Sequence, residues 1–441
     1  MELNIVLVGA GSAAFGPPTF TDLYLSEGLH GSNIILHDVD KPKLNMVYEV
    51  ISKENERTGG IFTIKKTLNR EEALEDADFV ICSIEHGDRF KLRWQDNTIP
   101  RKYGTTEMMG ENGGPGGFFH SARQIPEVLK IVADVDRICP NAYFINYSNP
   151  LSRICLAIKR VYPDIKMFGL CHQIELLTNE HLPKMLNREL EELRLIVGGL
   201  NHFAFLFGLE NFKTGENLMP DFNHRCLEYF EDGWDRFHYS ELTFEVYKRF
   251  GFFPYVGDNH LCEYVQFGSE FTKIEDIKAW IKRMEQANLG TNARLQRYYK
   301  RLKKGRYPRK GMLRPEPSGE RAIPIIEAII EDKHSYEYAV NIPNDGIIEN
   351  LPNNLIIECS AKVDKNGLHG VKIGKIPKDL GVLLKREAAT QDLCIEAILE
   401  ESKMMAINCL ALDVNCGSYE IAEKVFDEMM DLQKKYLPNF K

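Results

Sequence analysis

Short apolar runs alternate with stretches of helical periodicity over the first 170 residues of the chain. The apolar runs, which we predict as strands, lie at residues 3–8, 33–37, 62–66, 77–84, 142–147 and 165–170. Segments with helical periodicity lie near residues 41–55, 70–75 and 121–137. Near-continuous apolar strands are typical of a parallel sheet that is covered on both faces. The pattern therefore predicts a doubly wound α/β domain, whose ligands bind at the carboxyl ends of the strands.

The pattern changes near residue 196. Residues 196–205 read as a pair of strands, and the predicted helices that follow lie near 240–250, 275–303, 377–410 and 418–435. We expect the last two, which are long and amphipathic, to pack on the second half of the chain. We therefore divide the chain into an α/β domain at residues 1–195 and an α+β domain at residues 196–441.

Composition and charge exclude several classes of protein. Hydrophobic residues make up 44% of the 441 residues, which is ordinary for a globular chain that holds two domains. The net charge of −9 disfavours a nucleic acid or an anionic membrane as the partner. Apolar runs stay shorter than the roughly 18 residues that would span a bilayer. The ten cysteines lack the spacing of a disulfide framework, so we expect reduced thiols and a cytoplasmic protein.

A glycine-rich turn, G-A-G-S-A-A at residues 9–14, follows the first strand directly. In such a turn Gly9 allows a tight bend, and Gly11 lets the backbone approach a pyrophosphate. Ala14 lets the next helix pack close to the strand, with its N-terminus facing the phosphate charge. We therefore assign Gly9, Gly11, Ser12 and Ala13 to the binding of a dinucleotide.

The second predicted strand ends at Asp38, where an acid can hydrogen-bond the adenosine ribose. The acid favours NAD over NADP, because it would repel a 2′-phosphate. Its spacing from the turn exceeds the roughly 20 residues of the usual fingerprint, which requires a longer loop and helix between them. Together these features predict a Rossmann-type sheet followed by an α+β C-terminal domain. On their own they fit a plain NAD-dependent dehydrogenase.

Polar side chains follow the fifth and sixth predicted strands. Strand five runs into N-Y-S-N-P at residues 146–150, and strand six runs into Cys171 and His172. An Asn-Pro dipeptide is often only a turn signal. At this edge of the sheet, however, we expect Asn149 and Asn146 to face the cleft, where an amide can bind a sugar hydroxyl.

Cys171 and His202, 31 residues apart, form the candidate metal pair. A thiolate and an imidazole supply two ligands for a borderline divalent ion and leave positions for substrate oxygens. Spacing alone leaves the alternative open that Cys171 is a core thiol and His202 an internally bonded polar residue.

The segment G-D-N-H at residues 257–260 is the candidate acid–base group. Asp258 and His260 can reach one cleft as a general base and its hydrogen-bonding partner. The alternative is that Asp258 caps a helix, and this role does not exclude catalysis. Upstream, the glycine-rich segment 110–117 is interpreted as a loop that approaches a ligand closely.

Taken in order, these motifs resemble glycoside hydrolase family 4, the NAD- and Mn-dependent glycosidases, over nearly the whole chain. The segments that carry the resemblance are G-A-G-S (9–12), G-P-G-G (114–117), N-Y-S-N-P (146–150), G-L-C-H (169–172), N-H-F (201–203), G-D-N-H (257–260), S-G-E (318–320), N-I-P-N-D-G (341–346) and N-L-P (350–352). The resemblance implies a fold similar to lactate and malate dehydrogenases, with the substrate, the metal and the oligomer contacts assigned to residues 196–441. It also implies a homodimer or homotetramer.

The resemblance implies a role for each candidate residue. Cys171 and His202 would hold Mn²⁺, Asn149 would bind the sugar with Asn146 and His260, and Asp258 would be the base. The implied reaction is oxidation of the sugar at C3 by NAD⁺, elimination of the aglycone, addition of water, and return of the hydride. We prefer His172 as the acid that protonates the leaving oxygen.

The residues after Cys171 bear on the substrate class. Cys171-His172 resembles members that act on unphosphorylated α-glycosides, whereas Gln173 departs from the family pattern and leaves the sugar open. Arg101 and Lys102 resemble members that act on phospho-sugars, where they would hold an anion. We predict an α-glucosidase or α-galactosidase, ahead of an α-glucuronidase or α-galacturonidase and of a 6-phospho-glycosidase. A plain NAD-dependent dehydrogenase and a non-enzymatic NAD-binding protein are the other hypotheses.

Overall fold

The structure is a computed structural model that describes residues 2–231, 239–307, 311–313 and 316–441. The strands are β1 (Asn4–Val8), β2 (Asn33–His37), β3 (Thr63–Thr67), β4 (Phe79–Cys82), β5 (Tyr143–Asn146), β6 (Lys166–Gly169), β7 (Leu193–Leu200), β8 (Phe203–Asn211), β9 (Phe253–Pro254), β10 (Ser335–Pro343), β11 (Ile356–Asp364) and β12 (Gly367–Gly370).

The helices alternate with these strands and cover the sheet. They are α1 (Gly16–Leu25), α2 (Lys41–Arg57), α3 (Arg70–Leu74), α4 (Arg89–Lys102), α5 (Gly114–Ile138), α6 (Leu151–Val161), α7 (Gln173–Glu175), α8 (Leu182–Leu186), α9 (Met219–Glu231), α10 (Glu241–Phe250), α11 (Asp258–Leu261), α12 (Gly268–Phe271), α13 (Ile274–Leu302), α14 (Ala322–Glu331), α15 (Lys378–Leu399), α16 (Lys403–Leu412) and α17 (Tyr419–Gln433). Among the described residues, helices that are both long and apolar enough to cross a bilayer are absent.

The six predicted strands form one parallel half-sheet in the order β3-β2-β1-β4-β5-β6. Central strands such as β1, β4 and β5 are almost wholly buried, because helices cover both of their faces. The carboxyl ends of β1, β4, β5 and β6 therefore meet at one edge. The predicted Rossmann-type sheet is confirmed.

The sheet then continues with antiparallel strands in the order β10-β11-β7-β8-β9, and β12 pairs with β11. The junction is the pairing of Gly169 in β6 with Asn341 in β10. A Cβ atom at Gly169 would lie 2.6 Å from Leu151 and 2.9 Å from Cys155, so a larger residue would disturb this junction. Strands from before and after residue 195 thus belong to one sheet. The domain boundary at residue 195 stays a prediction.

The predicted strand pair near residues 196–205 is the hairpin β7–β8, closed by Asn201 and His202. His202 has φ of 60°, in the left-handed region that residues with a side chain seldom adopt. This tight turn fixes where the imidazole points.

The glycine-rich segment and the C-terminal helices differ from the predictions. Residues 114–117 are not part of a loop but form the buried first turn of α5. The single helix predicted at 377–410 is two, α15 and α16, because the chain turns at Glu401 with φ of 50° and Ser402 caps α16. The expected packing of these helices on the second half is confirmed only for the first part of α15, where Leu380, Leu384 and Ala388 share a core with β7, β8, β10 and β11.

The end of α15 and the helices α16 and α17 instead return to the parallel half-sheet. Their buried residues share one apolar core with β1, β4 and β5 and with helices α5 and α6. Phe426 of α17, for example, lies against Phe119 of α5 and against Phe440, with ring centroids 6.2 and 5.7 Å apart. The apolar outer faces of α5 and α6 would be exposed to water without this cover.

Truncation of this cover should destabilise the whole chain. We expect Phe426→Ala to lower the free energy of unfolding by about 3–5 kcal/mol, because it removes a large buried ring and leaves a cavity. The matched control is Leu432→Ala on the same helix, where the side chain is exposed and the loss should stay below about 1 kcal/mol. Urea unfolding measures both values. Equal losses in the two variants would contradict this packing.

Candidate active site

The turn at residues 9–14 forms a cradle at the carboxyl end of β1. Gly9 has φ of 88°, and a Cβ atom there would lie 2.1 Å from the carbonyl oxygen of Ser83. The Gly11 N–H donates to Oδ2 of Asp38 at 2.8 Å, and a Cβ at Gly11 would clash with that oxygen. Both positions therefore require glycine, as the sequence predicts, and Asp38 lies directly beside the turn.

A cavity of about 790 Å³ opens beside this cradle. Gly9, Gly11, Ser12, Asp38, Ser148 and Asn149 are among the residues that line it. Ala13 is buried in the core beneath the turn, and its side chain does not line the cavity.

The chemistry of this cavity fits a dinucleotide. Val39, next to Asp38, is 89% exposed, which offers an apolar surface to an adenine ring. Lys43, Arg70 and Arg89 line the cavity together with six acidic residues, and these three cations are the groups that could face a pyrophosphate.

Cys171 and His202 come together although they lie 31 residues apart. Cys171 follows β6 by two residues, His202 closes the β7–β8 hairpin, and the Cys171 Sγ lies 3.1 Å from the His202 Nε2. A thiol sulfur and an imidazole nitrogen that converge in this way suit a divalent ion such as Mn²⁺ or Zn²⁺. Among the residues that the structure describes, groups of three His, Cys, Asp or Glu able to hold a metal are absent. A divalent ion takes four or more ligands, so two protein ligands leave further coordination positions open.

Burial sets the protonation of the two side chains. Burial, together with the neighbouring His260, holds the pKa of His202 well below its usual range, so the imidazole is neutral and able to bind a metal. Burial and the Glu358 carboxylate raise the pKa of the Cys171 thiol, so a metal ion must displace a proton from it.

Asn112 orients the imidazole of His202, and sequence analysis missed this residue. The Asn112 Nδ2 lies 2.7 Å from the His202 Nδ1 and donates to it. If the amide were turned over, its Oδ1 would accept the Nδ1–H and leave Nε2 free for a metal. The backbone N–H groups of residues 111–113 all donate to Oε1 of the buried Glu263, at 2.9, 2.9 and 3.2 Å, which fixes the loop that carries Asn112.

A second buried carboxylate, Glu358 in β11, supports the turn at His202. It accepts hydrogen bonds from Asn201 at 2.6 Å, from Asn341 at 2.9 Å and from the Tyr255 hydroxyl. Sequence analysis missed Glu358 as well; the one available signal is an acid inside the otherwise apolar run I-I-E-C-S-A. Its hydrogen bonds tie the hairpin to the junction between β6 and β10.

A smaller cavity of about 270 Å³ contains the metal pair and joins the cofactor cavity. Ser12, Asn149 and Tyr147 are among the residues that line both. The Oδ1 of Asn149 is buried and has no hydrogen-bond partner in the described part of the chain. It is therefore available to a sugar hydroxyl, as the sequence predicts.

His172 and His260 also line the smaller cavity. The His172 Nδ1 lies 3.5 Å from Oε1 of Glu320, and this carboxylate raises the pKa of His172. The ring of His260 lies 4.2 Å from that of His202, and its Nδ1 lies 3.2 Å from Oε2 of Glu263. Both histidines thus contact the space where a sugar would bind.

Besides Ala13, two predicted residues line neither cavity. Asn146 is fully buried and closes the turn after β5 through hydrogen bonds with Ser148. Asp258 caps α10, because its carboxylate accepts from the backbone N–H groups of Ser240, Leu242 and Thr243 and from the Thr243 hydroxyl at 2.6–3.2 Å. The sequence suggests that Asp258 caps its own helix, whereas it caps a neighbouring one. Substrate contact and catalysis stay predictions for these two residues.

Comparison with known proteins agrees with this arrangement. The family 4 glycosyl hydrolase model matches residues 4–188, and the model of its C-terminal domain matches residues 197–416. The chain is 34% identical to an alpha-glucosidase of Erwinia rhapontici, with 99% of each chain covered. It is 28% identical to an alpha-galacturonidase of Thermoanaerobacter italicus, with 99% of this chain and 97% of the relative covered.

Solved structures share the fold. A 6-phospho-alpha-glucosidase from gut microorganisms, in complex with NAD and Mn²⁺, superposes with a TM-score of 0.86 at 21% identity over the full length of both chains. A malate dehydrogenase of Cryptosporidium parvum superposes with a TM-score of 0.51 at 15% identity, covering 91% of this chain and 100% of the other. The expected likeness to malate dehydrogenases is confirmed. With its cradle, its cysteine–histidine pair and both family models matched, the chain belongs to glycosyl hydrolase family 4.

Proposed function

We propose that the protein hydrolyses the α-glycosidic bond of an unphosphorylated hexoside of the glucoside or galactoside type, with NAD and Mn²⁺ as resident cofactors. One observation carries the proposal. The Cys171 Sγ and the His202 Nε2 lie 3.1 Å apart in a cavity that opens into the dinucleotide cradle. The alpha-glucosidase and the NAD- and Mn²⁺-bound structure among the similar proteins support the same activity and cofactors.

Charge in the smaller cavity favours a neutral sugar. Asp22, Glu111 and Glu320 line it, and Arg89 is the one Arg or Lys among the described lining residues. The Arg89 guanidinium lies 3.9 Å from Glu111, so its charge is partly balanced. A phosphate or a carboxylate on the sugar would face these acids at an energetic cost. We therefore place α-uronides second and phospho-sugars third.

Arg101 and Lys102, which the sequence suggests as an anion site, bind other groups of the protein. Arg101 donates to the carbonyl oxygen of Glu107 at 2.7 Å, and Lys102 forms an ion pair with Glu428 at 2.7 Å. Neither residue is among those that line the smaller cavity. This arrangement gives no support to a phosphate-binding role for the pair.

When bound, NAD⁺ and Mn²⁺ supply a hydride acceptor and a Lewis acid. The chain itself positions the sugar and moves protons. Asn149 accepts a hydrogen bond from a sugar hydroxyl through its unpartnered Oδ1. Trp280 and Ile323 contribute apolar groups to the lining of the smaller cavity. His172 donates a proton to the leaving oxygen, and the family resemblance assigns removal of the C2 proton to Asp258.

The redox state of the thiols bears on the compartment. All ten cysteines are free, and Cys171 must stay reduced to bind a metal. We propose the cytoplasm as the compartment for this reason. From the family resemblance we also propose a homodimer or homotetramer, which light scattering of the purified protein would test.

The proposed activity predicts a specific cofactor requirement. With p-nitrophenyl α-glucoside, α-galactoside and α-glucuronide, we expect release of p-nitrophenol that needs both NAD⁺ and Mn²⁺. Net NADH should not accumulate, because the hydride returns to the sugar within each turnover. We expect the neutral glycosides to react faster than the glucuronide. Stoichiometric NADH without release of p-nitrophenol would instead support a plain dehydrogenase.

Substitution of the proposed metal ligand Cys171 can be compared with the same substitution at another cysteine. Cys171→Ser should lower the activity by at least a hundredfold, because a hydroxyl is a poor replacement for a thiolate ligand. Cys82→Ser, at a buried cysteine in β4, changes the same atom outside the proposed metal site. Mn²⁺ affinity, measured by electron paramagnetic resonance, should fall in the first variant alone. Equal loss in both would assign the effect to folding.

The role of His172 predicts a dependence on the leaving group. His172→Gln should slow hydrolysis of methyl α-glucoside by about 10²–10⁴-fold, since the alkoxide needs a proton as it departs. p-Nitrophenolate leaves without such help, so the same variant should lose much less activity on p-nitrophenyl α-glucoside. Steady-state kinetics on both substrates measure the difference. A uniform loss would remove His172 as the acid.

Asp258 combines a proposed catalytic role with an observed structural one. We expect Asp258→Asn to lower stability by about 1–2 kcal/mol, because both carboxylate oxygens accept from N–H groups of α10 and an amide has only one acceptor oxygen. Exchange of the C2 hydrogen with solvent deuterium, followed by NMR in the folded, NAD-bound variant, separates the two roles. Lost exchange assigns the base to Asp258, whereas retained exchange leaves the cap as its role.

A further inference from the structure

Helix α13 connects the two cavities of the active site to the cofactor half of the molecule. Near its start, the Trp280 ring packs edge-on against His260 at 5.7 Å between centroids. Near its end, the Tyr298 hydroxyl lies 3.2 Å from Arg57 of α2, and Lys303 forms an ion pair with Glu49 of α2 at 2.6 Å. The helix is therefore anchored at both ends.

The middle of α13 is not packed on a core. Between Ile281 and Leu295 the helix has no buried residue, although both flanking residues are buried. Leu289, in this stretch, is 60% exposed. Helices of this length usually bury a continuous apolar stripe. Here the helix instead crosses open space, and that space is the pair of cavities described above.

One stripe of the middle segment faces those cavities. Met284, Asn288 and Asn292 are spaced by four residues, which places them on the same face of a helix. Met284 lines the smaller cavity, Asn288 lines both cavities, and Asn292 lines the cofactor cavity alone. Asn288 thus lies at the junction, and Asn292 lies farther toward the part of the cofactor cavity away from the metal pair.

The two amides retain free hydrogen-bonding groups. The Asn292 Nδ2 donates to the backbone oxygen and to Oδ1 of Asn288, both at 2.9 Å. Among the hydrogen bonds of the described residues, none uses the Asn288 Nδ2 or the Asn292 Oδ1. Both side chains are half-buried. A donor and an acceptor therefore face the same cavity as Gly11 and Asp38.

We propose that Asn288 and Asn292 of α13 are binding residues for the dinucleotide, the Asn288 Nδ2 donating to a ribose or pyrophosphate oxygen and the Asn292 Oδ1 accepting from a ribose hydroxyl. This inference rests on the proposed use of NAD. Asn288 contacts the half of the cofactor nearer the metal pair, and Asn292 contacts the half nearer Asp38. The glycine turn holds the cofactor from the sheet, and α13 holds it from the opposite wall of the cavity.

The test measures NAD⁺ binding directly, by isothermal titration calorimetry of the full chain without glycoside or metal. Asn288→Ala and Asn292→Ala should each raise the dissociation constant about fivefold to tenfold, as expected for one lost hydrogen bond. The control is Gln286→Ala, which is exposed and points away from the cavity, about 200° around the helix from Asn288. It should leave the dissociation constant unchanged.

Isosteric variants distinguish a loss of NAD⁺ binding from a loss of helix structure. Asn288→Asp and Asn292→Asp keep the size of each side chain and place a negative charge near the pyrophosphate. We expect weaker NAD⁺ binding that recovers in part at high salt, because salt screens the repulsion. Dissociation constants within twofold of the wild type in all four variants, at unchanged melting temperature, would overturn the inference while leaving the proposed function intact. Failure of the wild-type chain to bind NAD⁺ would overturn both.

Discussion

The pairing of Gly169 with Asn341 is the contact on which the active site depends. It joins the parallel half-sheet to the antiparallel half, and Cys171 lies two residues beyond it. Asn341 also donates to Glu358, and Glu358 holds Asn201 next to His202. The two metal-binding side chains are thus positioned by opposite sides of one junction. A shift of a single residue in this register would turn the side chains of β10 to the other face and separate the pair.

Buried carboxylates organise the loops around that junction. Glu107 accepts from the N–H groups of Met108, Gly110 and Gly116, and Glu263 accepts from those of residues 111–113. Burial and Glu263 raise the pKa of Glu107 well above its usual range, whereas Arg93 helps to hold the pKa of Glu111 low. So many acids in one region are costly unless hydrogen bonds or cations balance them. A divalent ion at Cys171 and His202 would supply part of that balance.

The sequence predicts the parallel half-sheet well because each strand is apolar along its whole length and is bounded by turn residues. It also predicts the Gly9 and Gly11 turn, since their roles are steric and local. The glycines at 113 and 114 are a harder case. A Cβ at Gly114 would lie 2.3 Å from Oε2 of Glu107, and one at Gly113 would lie 2.9 Å from Glu263. The partner that these glycines approach is therefore the protein's own carboxylates, which a pattern of glycines cannot identify.

Contacts between distant segments account for the other differences. Asp258 follows a glycine in a way that predicts a cap on its own helix, but α10, earlier in the chain, folds back to offer its free N–H groups. The periodicity of residues 418–435 shows that the helix has an apolar face. It does not show which part of the protein that face packs against.

Because the space beneath α13 is open, the stability of the folded chain would depend on the concentration of its dinucleotide. A ligand that binds only the folded state adds stability by mass action, about 2.7 kcal/mol at a hundred times its dissociation constant. Filling the space under a helix that is anchored at both ends would also restrain its middle, which has no buried residue between Ile281 and Leu295. A cell depleted of nicotinamide dinucleotide would then lose this protein to proteolysis sooner, and its abundance would follow the cofactor pool.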